Sequence, residues 1–148
     1  MPQIAAVDVE GAVRAYVNSY PGLTGAGAPL PSGVHLGKRR SPSKGAAADM
    51  EVIAPVTLDD TTHTARVAFR VRAVGSEDGA RYQAGFACRK LAEAVRALSG
   101  RSVVVTTGMG EQVRLLVAAD SAGPSFGGDL GGEAAYLFDA TFVCQPVP

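Results

Sequence analysis

Residues 64–74 read TARVAFRVRAV. Ala65, Val67, Phe69, Val71 and Ala73 alternate with Arg66, Ala68, Arg70 and Arg72. Such a period-two run predicts a strand with one face in a core and the other solvated or shared with a second chain. The three arginines fall on that second face. Like charges side by side on a strand cost energy unless water or carboxylates screen them. The acidic Asp129, Glu133 and Asp139 of another copy are one source of such partners; solvation or local pairing is the alternative.

Working outward, residues 76–98 predict a long helix. Ser76 stands as N-cap, Glu77 and Asp78 suit the first turn, and Ala84, Cys88, Leu91, Val95 and Leu98 form an apolar stripe. Upstream, Asp8 is a natural N-cap for a helix through VEGAVRAYVNSY, with Val9, Ala12, Val13, Tyr16, Val17 and Tyr20 on one face. Pro21-Gly22 ends it. The Gly/Pro-rich stretch near 21–33 predicts a flexible loop, either mobile or ordered by a partner. Extended segments follow near 33–40 and 46–54; in the second, Ala48, Met50, Val52 and Ala54 oppose Asp49 and Glu51.

Downstream, RSVVVTT reads as a buried β-branched strand, GMGEQ as a turn and VRLLVAA as another strand. A second Gly-rich flexible loop is expected near 121–133, with Phe126 as an apolar group at a mobile tip. The closing strand places Tyr136, Phe138, Ala140, Phe142 and Cys144 on one face. The whole, residues 1–148, is expected to be one α+β domain, a mostly antiparallel sheet packed against two helices.

Composition narrows the function. The chain is 47% hydrophobic and 19% charged, which is too apolar for disorder. No apolar run nears the ~20 residues of a membrane span, and the start lacks the pattern of a signal peptide. The protein is therefore expected to remain where it is made or to join an assembly built there, with no membrane partner. Cys88 and Cys144 lack the close spacing of a zinc pair and read as buried free thiols. His35 and His63 have no second ligand at helical spacing, so no metal or other cofactor is expected. Neither Gly-rich stretch has the order of a phosphate-binding loop. No nucleophile, base and orienting group stand in a recognisable motif, so an enzyme is not expected.

Charge is zero overall but unevenly spread. Residues 1–62 carry five basic and six acidic groups, 63–110 eight and three, and 111–148 one and five. The densest cationic stretch is GKRRSPSKG, residues 37–45, with Lys38, Arg39, Arg40 and Lys44. Phosphate binding usually recruits roughly six to ten cations, often with aromatics to stack on bases. A subunit contact and a solvated strand edge compete here with nucleic-acid binding.

Several segments in succession resemble the tail terminator (tail completion) proteins of long-tailed bacteriophages. They are VEGAVRAYVNSYPGLTG, PLPSGVHL, RRSPSKGA, the basic strand, the Ala-rich helix ending LSGR, the VAADSAGP loop and the aromatic closing strand. The succession spans nearly the whole chain. The resemblance implies a structural virion protein that forms a ring, commonly of six copies. Such a ring sits on the last ring of the tail tube at the tube-neck junction, halts its growth and meets the head-side connector. DNA passes through its channel without being read. The partners implied are other copies of the chain, the major tail tube protein and the head-tail connector protein. Candidate contact residues are Lys38, Arg39, Arg40, Lys44, Arg66, Arg70, Arg72, Phe126, Asp129 and Glu133. A connector or tube subunit is the nearest alternative, and a small cytoplasmic ligand-binding domain or enzyme the contrasting one. A head-to-tail ring joins two different patches of one protomer, which a chain with one positive and one negative flank suits.

Overall fold

In the computed structural model, residues 8–31, 33–36, 46–57, 61–74, 77–120, 123–130 and 133–147 are described. They form, in order, α1 (Val9–Ser19), β1 (Val34–Leu36), β2 (Ala46–Thr57), β3 (His63–Val74), α2 (Glu77–Arg96), β4 (Val103–Thr106), β5 (Gln112–Asp120), β6 (Ser125–Leu130) and β7 (Glu133–Pro146). The arrangement is α+β, as the periodicity predicts, but the sheet is the larger part and is curled. Its seven strands run β1-β2-β3-β7-β5-β4, with β6 also on β7. Among the described residues the strands pair antiparallel except β1 with β2, where Val34 lies beside Ala48.

β7 is the hub. The whole of β3 pairs with it, from His63 opposite Cys144 to Val74 opposite Glu133. On its other edge, β5 covers Ala140–Pro146 and β6 covers Glu133–Leu137. The core lies on the face formed by Val67, Phe69, Val71, Phe138, Phe142 and Leu115, and α2 covers it. The helix meets the sheet through small residues. Ala80, Ala84, Ala87, Cys88, Leu91, Ala92 and Val95 are buried, so its axis can approach closely. Gly85 lets the Tyr136 ring pack against the helix, since a Cβ there would stand 3.2 Å from that ring.

α1 contacts both β1 and β4, the two ends of the strand order, and so lies between the margins of the curled sheet. Its cap is the expected one, with the Gly11 N–H donating to Asp8 Oδ1 at 2.9 Å. The Arg14 side chain donates to the Val34 carbonyl at 3.2 Å, and the Val34 N–H donates to Asn18 Oδ1 at 3.2 Å. Side chains of α1 thus satisfy main-chain groups of an edge strand that would otherwise offer a template for pairing. The Tyr16 hydroxyl reaches across to the Ala94 carbonyl of α2. Beyond β1, the exposed stretch of β2 carries Pro55 within a register shift between Ile53 and Val56, another device that blunts an edge.

Three local expectations need correction. The Gly-rich segment expected as a loop near 121–133 contains β6. Its glycines serve a bulge between Phe126 and Gly128, where Gly128 takes φ +104°, a region that ordinary side chains avoid. RSVVVTT is not a buried strand: β4 is the sheet's short terminal strand, Val105 is buried and Val104 is exposed. The Gly/Pro segment after α1 is irregular, as expected, yet its anchors belong to its own chain. Leu23 and Leu30 are buried, and the Leu30 N–H donates to the Leu23 carbonyl at 3.0 Å.

Candidate interaction surface

The outer face of β3 carries Arg66, Arg70 and Arg72, but the fold gives them different surroundings. Arg72 is fully buried. Its direct neighbours in register are Ala47 on β2 and Ala135 on β7, small enough to leave room for a guanidinium. Carboxylates close the space at the diagonal positions. Arg72 Nε donates to Asp49 Oδ2 at 2.9 Å, and Nη1 donates to Glu133 Oε1 at 3.0 Å. Asp49 and Glu133 are themselves only 12% and 10% exposed, so this is a buried carboxylate–guanidinium–carboxylate triad. It overturns Arg72 and Glu133 as contacts for another copy, because both are consumed inside one chain.

Arg66 is exposed and donates to Asp139 Oδ2 at 2.9 Å. That hydrogen bond, and then the attraction of the carboxylate, push its pKa further up. Of the two sources considered for its acidic partner, a neighbouring molecule and local pairing, the fold supplies the local one, across the β3–β7 ladder. Arg70 stays exposed, opposite Asp49 on one side and Leu137 on the other. A shallow depression of about 450 Å³ lies on this outer face, lined by Asp49, Glu51, Ala68, Arg70, Leu137 and Asp139 among others.

Phe126 is not at a loop tip. It sits on β6, edge-on to Tyr136 at 5.4 Å, with the Arg81 guanidinium 4.0 Å over its ring. Asp129 pairs through its backbone with Ala134; its side chain lies outside what is described. Lys38, Arg39, Arg40 and Lys44 lie outside the described residues.

Other surface residues escaped the sequence reading. Tyr82 and Phe86 stand one turn apart on the solvent side of α2, 69% and 37% exposed, with rings 6.3 Å apart and 9° from parallel. Lys90 Nζ lies 5.6 Å over the Phe86 ring, completing a stripe at spacing four. At the turn between β4 and β5, Met109 is 83% exposed. The signal for the first stripe was present in the chain: position 82 and position 86 lie off the apolar face of the helix that the core stripe defines.

Cys88 and Cys144 are free and buried, as expected, and burial pushes each thiol up to about 12. Thiols held protonated in a core are poor nucleophiles. Among the described residues no three His, Cys, Asp or Glu side chains converge as metal ligands would, and no helix is long and apolar enough to cross a membrane. Comparison of the chain with family models, curated proteins and solved structures finds no match.

Proposed function

We propose that this chain is a structural assembly protein whose copies close head to tail into a ring, and that the ring caps a bacteriophage tail tube. In this role it ends tube growth and joins the tail to the head-side connector, and DNA later passes through its centre. The observation that carries the assembly reading is the set of large apolar side chains left in water by a domain whose core is already filled. Among the described residues Ile53, Val56, Val74, Tyr82, Val104 and Met109 are all exposed. Apolar groups scattered singly are ordinary, but a contiguous apolar patch rimmed by polar groups marks a contact surface, and Tyr82 with Phe86 beside Lys90 is such a grouping. The resemblance of the segment order to tail terminator proteins supplies the particular assembly. Charge is divided along the chain, with eight basic and three acidic groups in 63–110 against one and five in 111–148. Arg66–Asp139 and Arg72–Glu133 join the two segments within one copy, so only the charges outside these pairs are left for a contact between unlike patches.

The test combines mass by light scattering with negative-stain images of the purified protein, then labelling of intact tails. Rings with a central hole, and label at the head-proximal end of the tube only, are the expected result. A monomer at every concentration rejects assembly. Label along the whole tube identifies a tube subunit instead, and label on the isolated head a connector.

A further inference from the structure

We infer that the ring contact joins the aromatic stripe of α2 on one copy to the β4–β5 turn of the next. The inference rests on the reading that copies of this chain assemble head to tail, and it names the surfaces that meet.

The first surface is Tyr82 and Phe86 with Arg81, Arg89 and Lys90. Asp78 lines the same hollow as Arg81, and Glu93 pairs with Lys90 at 3.3 Å, so the cations exceed the carboxylates by one. The opposite side of α2 is closed by Ala80, Ala84, Ala87, Cys88 and Leu91, so the core does not need these two rings. Their stacking on one another adds little to the stability of a helix. Depressions of about 410 and 390 Å³ flank the stripe, one toward Pro124 and Tyr136, the other toward Pro29 and Pro31. A ridge of two rings between two hollows is a shape that a protruding side chain and its neighbours can fill.

The second surface is Met109, at the tip of the β4–β5 turn. That turn is built by its own chain, with the Thr107 N–H donating to the Glu111 carbonyl at 2.8 Å and the Gly110 N–H to the Thr107 carbonyl at 2.9 Å. It therefore presents the thioether on a fixed support. The charge around it is the reverse of that around the rings: Glu111 follows it in the turn, and Asp8 shares with it a depression of about 380 Å³ against α1, which also holds Arg14. The two surfaces share no lining residue. A thioether against aromatic faces, with an excess of one cation on the ring side and of one carboxylate on the turn side, is favourable in packing and, more weakly, in charge. Because the patches differ, the contact is heterologous, and repeating it generates a ring or an open filament.

The experiment uses two full-length variants altered only at exposed positions, Tyr82→Ala with Phe86→Ala, and Met109→Lys with Glu111→Lys, so that the two altered surfaces remain mismatched with each other as well. Circular dichroism and urea melts first establish that both fold as the wild type does. Each variant alone is expected to be monomeric by light scattering where the wild type is a ring. Mixed in equal amounts they are expected to form dimers and nothing larger, since each mixed pair has one intact contact and two spoiled ends. Rings from either variant alone, or a mixture that stays monomeric, overturn the assignment of these surfaces while leaving the ring reading in place. A wild-type protein that is itself monomeric removes the ring reading, and this inference falls with it. Intact rings that have lost binding of a fluorescent single-stranded oligonucleotide would give the α2 stripe to nucleic acid, and also overturn the inference.

Discussion

Arg72 illustrates how far a residue's identity can mislead about its position. On sequence alone it is one of three cations on a polar face; in the fold it is a fully buried bridge between Asp49 and Glu133. Desolvating an ion pair costs several kcal/mol, and what offsets this is the closeness and completeness of the partners. Removing the cation alone leaves two mostly buried carboxylates, one on each side of β3, without the charge that offsets them. Arg72→Met is therefore expected to lower the unfolding free energy by about 3 kcal/mol. Adding Asp49→Leu and Glu133→Leu to it should restore most of that loss. Urea denaturation measures both, and a single variant as stable as the wild type would sink the account. The alternation of β3 was legible in the chain, but the triad was not. Its geometry depends on which residues of β2 and β7 fall diagonally beside Arg72, and that register is set by long-range pairing.

At the scale of elements, the helices were the most legible because their ends carry local chemistry. Asp8 caps α1 through the Gly11 N–H, and Asp8→Ala is expected to cost about 1 kcal/mol, read from the midpoint of a urea melt followed by helix ellipticity. The long amphipathic strands β3 and β7 were legible for the same reason: their periodicity extends over enough residues to stand above noise. β6 was hidden because its glycines, which satisfy the bulge, are also the ordinary mark of a loop. β4 was placed in the interior because Val103-Val104-Val105 looks the same whether a strand is central or terminal. The contact surfaces were the least legible part. The stripe on α2 becomes visible only once the core-facing side of the helix is known, and Met109 only once its turn is seen to project.

For the molecule as a whole, the two thiols report on one cooperative core, Cys88 from α2 and Cys144 from β7. Burial raises each from 9.0 to about 12, so the folded chain keeps protons that the unfolded chain releases. This contribution is whole below pH ~9 and is lost as pH rises from there toward ~12. Between pH 9 and 10 the unfolding free energy is expected to fall by up to about 1.4 kcal/mol per thiol. The Cys88→Ala/Cys144→Ala variant should show a flatter profile in urea melts across that range; equal slopes would mean that the thiols do not titrate differently in the two states. Above pH 10 Tyr16 acts in the same direction, since burial first, and then the neighbouring Tyr20, raise its pKa from 10.0.

The hub position of β7 also governs how the molecule is born. Residues 133–146 leave the ribosome after every other element of the sheet, yet β3, β5, β6 and α2 all rest on them. Until that strand arrives, β5 and β6 lack the strand they share, and β3 and α2 have only part of their contacts. Closure of the sheet therefore waits for residues 133–146, and the interval before they emerge is when the nascent chain is most exposed to aggregation.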